Sequence, residues 1–88
     1  MEAQVSNCTS RNGNKVANQF IIEVNNSIIF QSYDSVIAKK ENERIFLDEK
    51  YWNYSKTTGK YRNLFLGEDK KETQKKIDSG EYVLTNLN

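Results

Sequence analysis

Apolar and polar positions alternate along QFIIEV, residues 19–24. Phe20, Ile22 and Val24 fall on one face, Ile21 and Glu23 on the other, which is the period of a strand. Asn25-Asn26 follows, two residues that tolerate positive φ, and then SIIFQS; the pattern predicts strand, primed tight turn, strand. SVIAKK and RIFLD flank ENE and predict a second hairpin with a short polar loop. After Tyr54 the period becomes helical. Tyr61, Leu64 and Phe65, at i, i+3 and i+4, predict a helix buried along that stripe, with Ser55, Thr57 or Thr58 as N-cap and Gly67 just past its end. Asp69 and Glu72 have capping-box spacing and open KKETQKKIDS, which Gly80 closes. Only Ile77, with Thr73 a turn before it, can anchor that second helix. YVLTNL reads as a final strand. Residues 1–18 keep neither period and are rich in Asn, Ser and Gly, so they are expected to form a flexible polar leader. Residues 19–88 are left as a single small α+β domain. Its expected architecture is an antiparallel sheet of four to five strands, a β-meander, with two short helices inserted before the last strand.

Composition narrows the class. Eighty-eight residues make one domain with a small core. Asn occurs eleven times, Pro is absent, and apolar runs stop at four residues or fewer, so no membrane span is expected. The N-terminus is polar, without the hydrophobic stretch of a secretion signal. The one cysteine, Cys8, has no partner for an intramolecular disulfide. A cytoplasmic protein is the expectation.

Net charge is +1, but Lys56 to Lys76 holds seven bases against three acids, whereas residues 20–55 hold four bases and six acids. This balance does not suggest a whole-protein DNA binder or an acidic DNA mimic. It has a locally basic segment.

Histidine is absent, which removes Ser-His-Asp and Cys-His catalysis and the usual zinc sites. Glu41, Glu43, Asp48 and Glu49 lack the alternating spacing of a calcium loop. Thr57-Thr58-Gly59-Lys60 invites comparison with a phosphate loop. That motif needs a second Gly upstream of its Gly-Lys pair and Ser or Thr after the Lys, and the sequence has Tyr54 and Tyr61 there. A simpler anion site survives: a helix starting near Thr57 offers backbone N–H groups beside two hydroxyls, with Lys56 and Lys60 close by. Helix capping accounts for the same hydroxyls. Tyr51, Trp52 and Tyr54 interleave with bases, as on single-strand stacking platforms, although a lone Trp in a small domain belongs by default to the core. No enzyme, cofactor or metal is expected. The candidate partner-binding residues are Tyr54, Ser55, Lys56, Thr57, Thr58, Lys60, Arg62 and Asn63, with Lys60 and Arg62 taken as surface bases.

Trp52, Tyr54, Ser55, Thr57, Thr58, Lys60, Tyr61, Arg62, Phe65 and Leu66 together match the pattern Tyr/Trp-x-Tyr-Ser-x-Thr-Thr-x-Lys-Tyr/His-Arg-x-x-Phe-Leu. With FQSYDSVIA before it and SGEYVLTNLN after it, this stretch resembles a family of short uncharacterised proteins of Firmicute phages, plasmids and other mobile elements. The resemblance covers residues 28–88 and brings no catalytic residues. It implies a setting: a small intracellular binding protein that counters host defence by stoichiometric binding to a host protein. An anti-CRISPR protein inhibiting a Cas nuclease is the specific form of that expectation. Two alternatives are a sponge for a nucleotide-like, phosphate-bearing signalling molecule and a nucleic-acid-binding accessory protein using residues 56–76.

Overall fold

The structure, a computed structural model, describes residues 3–9 and 12–88. The chain runs β1 (Ala3–Thr9), β2 (Lys15–Val24), β3 (Ser27–Ser32), β4 (Ser35–Glu41), β5 (Arg44–Asp48), α1 (Lys56–Leu66), α2 (Lys70–Asp78) and β6 (Tyr82–Thr85). All six strands form one sheet in sequence order. The first four pairings are antiparallel and β5–β6 is parallel, because the two-helix crossover returns the chain in the same direction. The fold is α+β, with six strands rather than four or five. The additional strand is β1, which lies in the segment read from sequence as a loose leader. It pairs with β2 from Ala3↔Val24 to Thr9↔Lys15 across one irregularity.

Turn chemistry sets the hairpins. Asn42 and Glu43 both have positive φ, 52° and 64°, as a two-residue primed turn requires. At Asn25-Asn26 only Asn25 does. Tyr33, with φ of 55°, turns β3 into β4, and its N–H donates to Asn18 O at 2.6 Å.

Helix side chains reach Phe30, Ser32, Lys40 and Tyr82, which share one face of the sheet. Ile21 pairs with Phe30 and Gln19 with Ser32, so Ile21 and Gln19 look toward the helices. Phe20, Ile22 and Val24 take the opposite face. In β4 the register shifts opposite Phe30 and Gln31. Ile37 is the extra residue there, so Ile37 and Ala38 are both buried although adjacent. The apolar core is Phe30, Ile37, Ala38, Leu47, Tyr61 and Tyr82.

Two buried carboxylates tie the ends of this small core together. Asp48 Oδ2 accepts the N–H groups of Lys50 and Tyr51 at 3.0 and 2.9 Å, and its Oδ1 accepts Leu87 N–H at 2.8 Å. Asn88 closes the same corner with two hydrogen bonds to the Val36 backbone. Glu68, between the helices, accepts from Thr73 and Tyr82 hydroxyls, both at 2.7 Å, and from Lys76 at 2.8 Å. Burial alone raises both carboxyl pKa values. Around Asp48 the hydrogen bonds from Leu87, Asn88, Tyr51 and Lys50 outweigh it, and around Glu68 those from Lys76, Thr73 and Tyr82 do, so both pKa values lie below the ordinary range. Tyr82, desolvated and donating to Glu68, is raised to about 12.

Two predictions follow from this architecture. Deleting residues 1–14 strips β1 from β2 and uncovers Cys8's place on the core edge. The melting temperature should fall by about 10 °C or more, since roughly 4–8 °C accompanies each kcal/mol in a domain this size; an unchanged transition would show that β1 contributes nothing. The depressed Asp48 pKa gives stability that is present above about pH 4 and is lost as pH falls through the folded value. Asp48→Asn should therefore lower stability at pH 7 and flatten the acid limb of a melting-temperature-against-pH curve.

Candidate functional site

Ser55 opens α1 as N-cap: its backbone is extended and its Oγ accepts Thr58 N–H at 3.1 Å. Gly67 closes it in the left-handed region, φ 72°, donating to Asn63 O. Ser55 was one of three caps allowed by the sequence. The predicted stripe is only partly right. Tyr61 is buried and Phe65 packs on the core, tilted against Phe30 with centroids 5.8 Å apart, but Leu64 is 63% exposed. The buried line is Thr58, Tyr61, Arg62 and Phe65, spaced i, i+3, i+4, i+7.

Thr58 and Arg62 are therefore not surface residues. Thr58 is fully buried and shares a 3.0 Å hydrogen bond with Ser32 Oγ. Arg62, expected as a surface base, is 1% exposed. Its guanidinium lies 5.2 Å from the Trp52 ring centroid and donates to Trp52 O at 2.7 Å, to Asn63 Oδ1 at 2.9 Å and to Asn53 Oδ1 at 3.4 Å. All its acceptors are neutral. Among the described residues no carboxylate comes within ion-pair distance, and Nε has no acceptor. Desolvation lowers the Arg62 pKa, and the more distant Glu68 charge works the other way; the group stays cationic all the same.

The remaining site residues separate into two hollows that share Ser55. One, of about 810 Å³, is lined by Asn53, Ser55, Lys56, Gly59, Lys60, Tyr61, Arg62, Asn63 and Leu64 together with Thr9 and Lys70. It holds four bases and no acid. Lys56, Gly59, Lys60 and Asn63 follow one another along one helical face. The other hollow, about 600 Å³, gathers Tyr54, Ser55, Thr57 and Thr58 with Ser32 to Ser35, Ile37 and Tyr51. Tyr54 is 68% exposed and meets Tyr51 edge-on at 5.6 Å. The sequence reading missed Asn53, Gly59, Lys70 and Thr9. Lys70 and Thr9 are brought in from α2 and β1 by tertiary structure, and no local signal marks them. Among the described residues no group of three His, Cys, Asp or Glu is placed to hold a metal, and no helix is long and apolar enough to cross a membrane.

A family model described as a family of unknown function (DUF8033) matches residues 3–81. The chain belongs to this family. The DUF8033 match starts inside β1, so the segment set aside as a leader lies within the family's extent, where the resemblance began at residue 28. No curated protein and no solved structure matches the chain.

Burial of Arg62 makes a sharp prediction for this DUF8033 protein. Arg62→Glu reverses a buried charge and should cost roughly 3–5 kcal/mol, enough to unfold a domain of ordinary stability. Arg62→Met keeps the volume without the charge, and of the residues that hold its acceptors Asn53 is exposed and Trp52 and Asn63 are partly so. It should stay within about 1 kcal/mol of the parent. Equal, small effects of both substitutions on the melting temperature would place Arg62 at the surface.

Proposed function

We propose that this is a stoichiometric binding protein that receives an anionic group of its target in the basic hollow at the start of α1 and does no chemistry on it. One observation carries the reading: four of the chain's thirteen bases line a single hollow that contains no acid. Elsewhere among the described residues three bases have carboxylate partners. Lys76 pairs with Glu68, Lys75 with Glu72 and Lys39 with Glu41. An unneutralised cluster of like charge attracts a partner of opposite sign and speeds its approach. The resemblance to mobile-element proteins supplies the setting, and a host-defence protein, a Cas nuclease among them, is the first target to test.

Lys56 and Lys60 are exposed, so reversing them should leave stability within about 0.5 kcal/mol. Glu at position 56 even suits the first turn of a helix. In pull-downs from host lysate, Lys56→Glu, Lys60→Glu protein should lose a target that the parent retains, with binding reduced at least tenfold. The comparison pair is Lys71→Glu, Lys75→Glu, which lies outside the hollow and leaves the Lys76–Glu68 contact intact. Equal loss from both pairs, or a retained target in neither case affected, counts against the reading.

A further inference from the structure

Gly59 is the fourth residue of α1, an interior position where glycine costs about 1 kcal/mol relative to alanine. Its conformation does not demand glycine, since its φ lies outside the left-handed region. A Cβ there would meet only the two terminal nitrogens of Arg62, at 3.7 and 3.8 Å. These are ordinary contact distances, so alanine fits. The methyl group would cover the guanidinium on the side that lines the hollow. The missing side chain thus leaves the hollow one methyl group deeper at Gly59, directly over a buried cation that lacks any carboxylate partner.

We propose that this hollow binds a small organic phosphate, with its phosphate over Gly59 between Lys56 and Lys60 and its organic part against Tyr61 and Leu64. The inference rests on the binding reading above and gives it a ligand class. A carboxylate brings one negative charge to four positive ones, whereas a phosphomonoester brings close to two and three acceptor oxygens. The volume, about 810 Å³, is in the range of sites for organic ligands, about 300–1,000 Å³, and exceeds what inorganic phosphate fills. Leu64, exposed on a helix whose other large apolar residues turn inward, gives the hollow an apolar wall. Lys60 Nζ already lies 5.5 Å from the Tyr61 ring centroid, so charge and ring face are adjacent. A long nucleic-acid backbone fits less well. Lys75 and Lys76, farther along α2, are engaged by Glu72 and Glu68, so beyond Lys71 the bases of α2 are not free to follow successive phosphates.

The test titrates the full chain with the common ribonucleoside 5′-monophosphates, the matching nucleosides and inorganic phosphate, using calorimetry and backbone amide shifts. At least one monophosphate should bind tenfold or more tightly than both its nucleoside and inorganic phosphate, with shifts centred on residues 55–60. Gly59→Ala should raise the melting temperature and weaken that binding at least tenfold, and Lys60→Gln should weaken it without moving the melting temperature. A purely structural role for Gly59 moves only the first quantity. Absence of binding by every monophosphate overturns the inference, and so does equal binding of inorganic phosphate. If the lysine reversal still abolishes capture of a protein target in that event, the binding reading stands without this ligand. If capture is also unaffected, both fall.

Discussion

Arg62 is the point around which α1 and the segment before it are arranged. Its guanidinium lies over Trp52 and donates to the Trp52 backbone oxygen and to the side-chain Oδ1 atoms of Asn53 and Asn63, so a single side chain ties the approach to the helix to the helix itself. Thr58, one turn earlier, bonds Ser32 and fixes the same helix to β3. These polar contacts sit beneath α1, where a stability-driven design would place Leu or Ile. Removing a cation from water costs several kcal/mol, and neutral acceptors return only part of that.

The rest of the domain shows how such a cost is tolerated in so short a chain. Among the described residues six apolar ones form the buried core, too few to hold the elements alone. Asp48 and Glu68 supplement them as buried junctions, each collecting three donors from separate parts of the chain. Asp48 joins the end of β5 to the segment after β6, and Glu68 joins α2 to β6. The face of the sheet away from the helices is shielded in part by its own side chains: Lys39 and Arg44 lie 5.3 and 5.7 Å from the Phe46 ring.

Features governed by local chemistry were legible in the sequence. The Asn25-Asn26 turn, the Asp69 and Ser55 caps and the Gly67 terminus each depend on a few neighbouring residues, and each is found where the residue types place it. Features decided by tertiary contact were not. Strand β1 carries Asn, Ser and Thr because it is an exposed edge, and an edge strand need not alternate. The α1 stripe was misassigned because polar Thr58 and Arg62 hold buried positions while Leu64 is exposed, a reversal that hydrophobic periodicity cannot register. Of the candidate site, Ser55, Lys56, Lys60, Arg62 and Asn63 do share a hollow. Tyr54, Thr57 and Thr58 line its neighbour instead.

Three departures from local rules meet in one place. A buried cation without a carboxylate, an interior helical glycine and an exposed leucine each disfavour the folded state a little, and all three line one hollow. Outside it, α2 is capped and three bases have carboxylate partners, although Gln19 is fully buried with neither of its amide atoms partnered. Three departures meeting in one hollow favour a role for that hollow beyond stability. The departures also agree in chemistry. Arg62 and the lysines supply positive charge, Gly59 leaves room over the buried Arg62, and Leu64 supplies an apolar wall beside it. Stability alone has no use for that combination, and a ligand that is anionic at one end and apolar at the other uses all of it.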